Sequence, residues 1–334
     1  MLWAWILPLP NTVQQQANQA LSHGFDGIIV YVDEAGKPPA FYSAGWNDRV
    51  NKIPADPQSL FKIGSIKKLY VAVAATKLVN NQMLSLDDTL AEHFPALVNR
   101  IENAEKINLR LMLQHRSGIP NYSDNADFPW GDPPQSKTEK LEFALDLPAI
   151  FAPNDDYDYS NTNYLLIAQI IEKVLGYSAQ QYIKAQILHP LGLNNTFSSL
   201  SEVDINDVIN GYYKGWAPDP DDLPSDYYPG YRPNLKAYQY GTMIATAQDV
   251  GLFLRALNDG SLFAEGEQAI YSSIYEYDHT GWVPGYLSCA KYHKDIDTVV
   301  VQFVNTSDDV AFFVVSEIIC DRIGKILHEQ QRNR

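Results

Sequence analysis

Cysteine is almost missing from this chain: only Cys289 and Cys320 occur in 334 residues. That is too few for a disulfide framework or a thiolate zinc site. One falls in an expected late strand and the other in an expected terminal helix on the same sheet, so a single bridge and two buried thiols both stay open. The seven histidines are scattered and no HExxH occurs, which removes the usual zinc-hydrolase ligand spacing. Positive charge is short as well. Lys and Arg total 25 against 40 Asp and Glu, a formal charge of −15. This disfavours nucleic acid and anionic membrane surfaces as partners. No apolar run is long enough for an integral membrane segment. The apolar start, residues 1–10, lacks a basic n-region and a small-residue cleavage site. The protein is therefore expected in the cytoplasm, or in the periplasm or secreted if an export signal has been removed. There is no internal repeat.

What the chain does hold is apolar: 46% hydrophobic residues, with 21 Tyr and 6 Trp. This supports a substantial core and suits a cleft with aromatic walls. Spacing predicts a helix over 11–22 stopped by Gly24, then strands over 25–32 and 40–46 joined by the turn 33–37, an antiparallel hairpin. From 79 to about 256 the pattern is mainly helix and loop, with a short helix beginning in 84–88 and others over 109–114, 163–175, 179–188 and 246–258. Strands are then expected over 270–277, 279–292 and 297–304, and a long helix over 310–329. Residues 1–78 and 262–334 should form one α/β layer, and 79–261 an inserted, mainly helical domain with the active cleft where the two meet. The Pro- and Asp-rich stretch 215–231 reads as a solvated loop or an acidic, aromatic rim.

The chain is organised around residues 59–80, SLFKIGSIKKLYVAVAATKLVN. An alternating run over 60–63 stops at Gly64, and from Ser65 onward Ile66, Leu69, Tyr70, Val73, Ala74, Lys77 and Leu78 recur at helical spacing. A serine in the first helical turn sits among backbone N–H groups without intrahelical partners, at the positive end of the helix dipole. Lys68, three residues on, shares its face. If buried, it loses its proton more easily and helps to activate Ser65 as a nucleophile. Ser-x-x-Lys occurs three times, at Ser59, Ser65 and Ser288. Only Ser65 is expected to open a helix; the other two read as strand residues.

Two further motifs keep it company. Tyr159-Ser160-Asn161 precedes the helix 163–175. Asn161 or Thr162 could be merely its cap and Tyr159 an aromatic plug. Alternatively Tyr159, activated by Lys68, takes the proton of Ser65, passes it to the leaving group and then activates water, while Asn161 orients the lysine and a substrate amide. His279-Thr280-Gly281 stands at a strand edge, where the glycine leaves room for a ligand backbone. The N–H of Trp282 could pair with that of Ser65 as an oxyanion hole. His279 would contact the substrate, or be an ordinary edge histidine.

The order Ser-x-x-Lys, Tyr-x-Asn, His-Thr-Gly, together with the stretches 61–65, 113–120, 188–193 and 245–250, resembles the serine β-lactamase and penicillin-binding-protein superfamily. The likeness covers roughly residues 20 to 330 and is nearest to class C β-lactamases, DD-peptidases and their esterase relatives. It implies an α+β, β-lactamase/transpeptidase-like fold, an antiparallel sheet flanked by helices plus the inserted helical domain. It also implies acylation of Ser65, Lys68 and Tyr159 as the base pair, Asn161, His279, Thr280, Gly281 and Trp282 at the substrate, Tyr122 lining the cleft, and no metal or organic cofactor. The chain departs from the pattern where many β-lactamases carry Lys-Thr-Gly. His279 replaces a fixed charge with a ring whose reference pKa is about 6.5, which disfavours efficient β-lactam hydrolysis. Asp219, Asp221, Asp222 and Asp226, if near the cleft, would also disfavour anions. The expected substrates are therefore D-amino-acid peptides, small esters, or β-lactams weakly. A non-catalytic binding or structural member of the same fold is the alternative.

Overall fold

The computed structural model describes residues 7–213, 234–240 and 243–333. The stretch 215–231, with its four aspartates, lies outside the described residues. Five helices of eight or more residues run through the described chain: α1 (Val13–Ala20), α2 (Lys67–Asn80), α3 (Asn161–Leu175), α4 (Ala247–Asp259) and α5 (Val310–Arg332). The main strands are β1 (Gly27–Glu34), β2 (Ala40–Asp48), β3 (Ile53–Pro54), β4 (His279–Val283), β5 (Tyr286–His293) and β6 (Thr298–Val304). The fold is α+β, and the chain divides into two compact units.

The sheet unit comprises the described residues of Met1–Lys67, Leu193–Asp259 and Tyr277–Arg334. Alternation in β1 sends Ile28, Val30 and Val32 to one face and Ile29 and Tyr31 to the other, and all five are buried. The six strands lie in the order β3-β2-β1-β6-β5-β4, every neighbour antiparallel. The two chain ends thus meet at the β1–β6 pair, with Val32 opposite Val300. Val30, Val300 and Cys289 on one face pack with Val13 and Ala17 of α1 and Ile319, Cys320 and Ile323 of α5. Each Val and Ile among them contributes about 1.5–3 kcal/mol by leaving water. Cys289 and Cys320 are free, buried thiols; the hydrogen bond that the neutral Cys289 thiol makes to Cys320, and burial, push the Cys289 thiol well up. Tyr31 lies on the other face against α4, where a Cβ on Gly251 would stand 2.2 Å from the Tyr31 ring.

Residues 193–259, expected in the helical insertion, belong to the sheet unit. Phe61–Lys62 pairs with Ile244–Ala245, which pairs in turn with Thr196–Phe197. Asp249 at the start of α4 accepts from the Asn195 N–H at 2.8 Å and the Thr196 hydroxyl at 2.9 Å. These pairings are long-range, so no local period announces them. Lys62 is 1% exposed, and its Nζ donates to the carbonyls of Leu235 at 3.0 Å and Tyr238 at 2.5 Å. Burial pushes it down to about 7. A neutral amine still has two N–H groups for those two carbonyls.

The helical unit comprises Lys68–Gly192 and Gly260–Glu276. Its central helix, α2, is covered on several sides, and Ala72, Ala74 and Ala75 are fully buried. Gly176 stops α3 in the left-handed conformation, φ 74°. Two expectations change here. The stretch 84–88 is a turn, and the helix starts at Leu90 under a Thr89–Glu92 capping box. The stretch 270–277, expected as a strand, begins within the helix Glu267–Ser272. Glu267 explains that: its carboxylate takes the Lys77 ammonium at 2.9 Å and the Ala264 N–H at 2.9 Å. A largely buried ion pair at the first helical turn outweighs a short alternation. Glu267→Gln should cost about 1–3 kcal/mol, because Lys77 stays largely buried without its counter-charge; urea unfolding measures it. Among the described residues no helix is long and apolar enough to cross a membrane, and no cluster of three His, Cys, Asp or Glu could hold a metal ion.

Candidate active site

In the sheet unit, the strand Phe61–Lys62 runs into the 3₁₀ turn Gly64–Ile66, which leads directly into α2. Ser65 sits in that turn rather than in the α-helix proper, still at the positive, N-terminal end. Gly64 has φ +57°, and a Cβ there would stand 3.0 Å from the Trp282 N. A Cβ on Gly281 would stand 2.3 Å from the Ile63 carbonyl and 3.1 Å from the Ser65 N. Two glycines therefore bring the Ser65 turn onto the edge strand β4, with the backbone nitrogens of Ser65 and Trp282 at the junction. Thr280 stands opposite Cys289, and His279 opposite Ala290 at the start of the strand. The His279 Nδ1 lies against the Thr280 carbonyl.

The other two Ser-x-x-Lys serines are placed differently. Ser59 precedes its strand, in a turn closed by its N–H to the Asp56 carbonyl at 3.0 Å. Ser288 lies in β5, where its hydroxyl donates to the Ile63 carbonyl at 2.9 Å and so pins the turn carrying Ser65. Ser288→Ala removes that pin, about 1 kcal/mol. Ester turnover should fall roughly five-fold without being abolished, as steady-state kinetics would show.

In the helical unit, Lys68 is the second residue of α2 and 6% exposed. Its Nζ donates to Asn161 Oδ1 at 2.7 Å and stands 4.6 Å from the Tyr159 ring centroid and 5.7 Å from that of Tyr164. Asn161 is not the cap of α3. Ser160 holds that position, and its side chain makes no capping bond. The Asn161 N–H goes to Asn121 Oδ1 at 3.0 Å and its Nδ2 donates to Ser123 Oγ at 3.0 Å, leaving its carbonyl oxygen to Lys68. Ser123 Oγ in turn donates to Asn121 Oδ1 at 3.0 Å. Thr162 donates to the Pro120 carbonyl at 2.7 Å and accepts from the Tyr122 N–H at 2.9 Å. The Tyr122 ring is buried against Phe128.

The segment 115–123 is thus bound to the turn that carries Tyr159 and Asn161. Nothing in the sequence pattern marks Asn121 or Ser123, since both sit in a stretch without period and their partners are about forty positions away. The ring of His115 stacks on Tyr159 at 4.6 Å between centroids.

Residues 10–283 match the family model described as Beta-lactamase. Penicillin-binding protein 4* of Bacillus subtilis (strain 168) is 27% identical over 263 residues, 75% of this chain and 56% of that protein. PbpX of the same organism, named as a penicillin-binding protein, is 25% identical over 338 residues, 95% of this chain and 79% of that one. The chain therefore spans little more than half the length of one of these relatives and about four-fifths of the other. The D-amino acid amidase of Ochrobactrum anthropi SV3, solved with L-phenylalanine amide, shares the fold. It has a TM-score of 0.81 and 22% identity, over 97% of this chain and 99% of that one. The hydrolase EstCE1 also shares it, with a TM-score of 0.70 and 21% identity over 93% and 97%. The matched span takes in all three motifs, Ser65 to Lys68, Tyr159 to Asn161 and His279 to Gly281: this chain belongs to the β-lactamase family.

Proposed function

We propose that the protein is a serine hydrolase that works through an acyl-enzyme on Ser65, with D-amino-acid amides or peptides and small esters as its substrates and β-lactams as poor ones. The observation that carries this is Lys68: a buried lysine that donates to Asn161 Oδ1 at 2.7 Å and whose ammonium lies 4.6 Å from the Tyr159 ring centroid. A lysine so placed lowers the cost of a negative phenolic oxygen nearby.

In the proposed sequence the Ser65 hydroxyl gives its proton to the Lys68–Tyr159 pair as its oxygen bonds to the substrate carbonyl carbon. The carbonyl oxygen becomes an anion held by the Ser65 and Trp282 N–H groups. As the tetrahedral intermediate collapses, the bond to the leaving amine or alcohol breaks, and that group leaves with the proton from the pair. Water then adds to the ester at Ser65, giving its proton to the same pair, and Ser65 is regained with the proton returned to its oxygen. Asn161 holds Lys68 and offers its amide to the substrate.

The substrate class rests on His279. A neutral imidazole offers no fixed charge to a substrate carboxylate, and its Nδ1 is already engaged with the Thr280 carbonyl. The D-amino acid amidase and the hydrolase with promiscuous acyltransferase activity that share the fold are consistent with an uncharged carbonyl substrate. His279→Lys should accelerate acylation by benzylpenicillin about ten-fold, the scale of one charge-assisted hydrogen bond. Stopped-time labelling with a fluorescent penicillin reads it, and an unchanged rate would separate penicillin acceptance from residue 279.

The experiment that tests the function is intact-protein mass spectrometry with p-nitrophenyl acetate, a D-amino acid amide and a fluorescent penicillin in turn, alongside product release. Ester or amide turnover without a lasting penicillin adduct is the expected result. A stable penicilloyl adduct would move the reading to a penicillin-binding DD-peptidase. Absence of any adduct or turnover would favour the non-catalytic alternative.

A further inference from the structure

The helix Leu109–Leu113 ends in a two-bond motif: the Arg116 N–H reaches the Leu111 carbonyl at 2.8 Å and the His115 N–H reaches that of Met112 at 3.2 Å. This is the Schellman arrangement, whose first residue past the cap takes the left-handed conformation and is usually glycine. Here it is His115, with φ +57°. A side chain in that region is strained by roughly 1 kcal/mol, so stopping the helix would be better served by glycine. What glycine could not supply is the imidazole.

His115 is 2% exposed, and it holds the turn carrying Tyr159 at three points. Its carbonyl accepts the N–H of Asp158 at 3.0 Å. Its Nδ1 accepts the N–H of Ser160 at 3.1 Å. Its ring lies on the Tyr159 ring, with 4.6 Å between centroids and 29° between planes. An Nδ1 that accepts a backbone N–H carries no proton, so the ring is the neutral tautomer protonated at Nε2. The residues before and after Tyr159, and Tyr159 itself, are all held by this one side chain and its backbone. The same ring also packs on Tyr164, at 5.1 Å.

We propose that His115 is a positioning residue for Tyr159: it fixes the phenol's place beside Lys68 and touches no reacting atom itself. This rests on the role proposed for Tyr159.

The test is a double-mutant cycle on p-nitrophenyl acetate turnover, using His115→Gly, His115→Asn, Tyr159→Phe and the His115→Gly/Tyr159→Phe pair, each checked for cooperative thermal unfolding. Glycine suits the helix end and removes the ring; asparagine tolerates the left-handed backbone and keeps an acceptor for Ser160. His115→Gly should lower kcat by up to about 100-fold, the scale of a 1 Å misplacement, with KM little changed. His115→Asn should recover part of that loss. In the Tyr159→Phe background His115→Gly should slow turnover no further, because neighbours acting through one group are not additive. Losses that multiply in the double variant, or a wild-type kcat in His115→Gly, would overturn the proposal. Wild-type turnover in Tyr159→Phe would remove the role of Tyr159 and the proposal with it, and that result is read from the single variant alone.

Discussion

Ser65→Ala is expected to remove ester and amide turnover, a loss of about 10⁴-fold or more, since a nucleophile acting with its base as a unit leaves only residual stabilisation behind. The same variant should take up no covalent mass from p-nitrophenyl acetate. Ser59→Ala should run at the wild-type rate, because Ser59 sits in a turn before its strand, closed by its backbone N–H to the Asp56 carbonyl. The contrast matters because both serines begin a Ser-x-x-Lys pattern. What separates them is the 3₁₀ turn Gly64–Ile66, which places the Ser65 nitrogen at the start of a long buried helix and beside the Trp282 nitrogen. Full activity in Ser65→Ala would end the acyl-enzyme reading.

Gly281→Ala should have the next largest effect. The added methyl carbon would stand 2.3 Å from the Ile63 carbonyl oxygen and 2.3 Å from Ser288 Oγ. Ser288 can rotate away, at the loss of its bond to Ile63. The carbonyl is backbone and cannot move without moving the Ser65 turn. The strand β4 and the turn must therefore separate, and the Ser65 and Trp282 N–H groups no longer converge on one oxygen. Losing one donor of such a pair costs on the order of 10²–10³ in kcat, and the overpacking about 1–3 kcal/mol of stability. Steady-state kinetics and urea unfolding on the same preparation would show both. A variant that loses stability but keeps kcat would mean that the two nitrogens do not act together on the substrate. Thr280→Ala, which leaves the backbone approach intact, provides the comparison.

Much of the candidate site was legible before any coordinates. Ser65 with Lys68, Tyr159 with Asn161, and His279 to Trp282 are short motifs whose parts lie within four positions, so spacing and helix periodicity reveal them. The hairpin of β1 and β2, the helix after Gly64 and the long α5 follow from local periods and stop signals in the same way. Residues 270–277 read as a strand for the complementary reason: local pattern does not show the ion pair of Glu267 with Lys77, far away in the chain, at the start of the helix Glu267–Ser272.

By itself, then, the sequence determined the three motifs, the family pattern they make, and the elements on which they stand. Only the tertiary structure decided that Asn161 is a partner of Lys68 rather than a cap, because Asn121, forty positions earlier, satisfies the N–H of Asn161 and leaves its side chain to Lys68 and Ser123. It also decided that Ser288 holds the turn carrying Ser65 and that His115 grips Tyr159. Those contacts join segments distant in sequence. Their free energy comes from desolvated hydrogen bonds and ring packing that exist only once the chain has closed, and no local period encodes them.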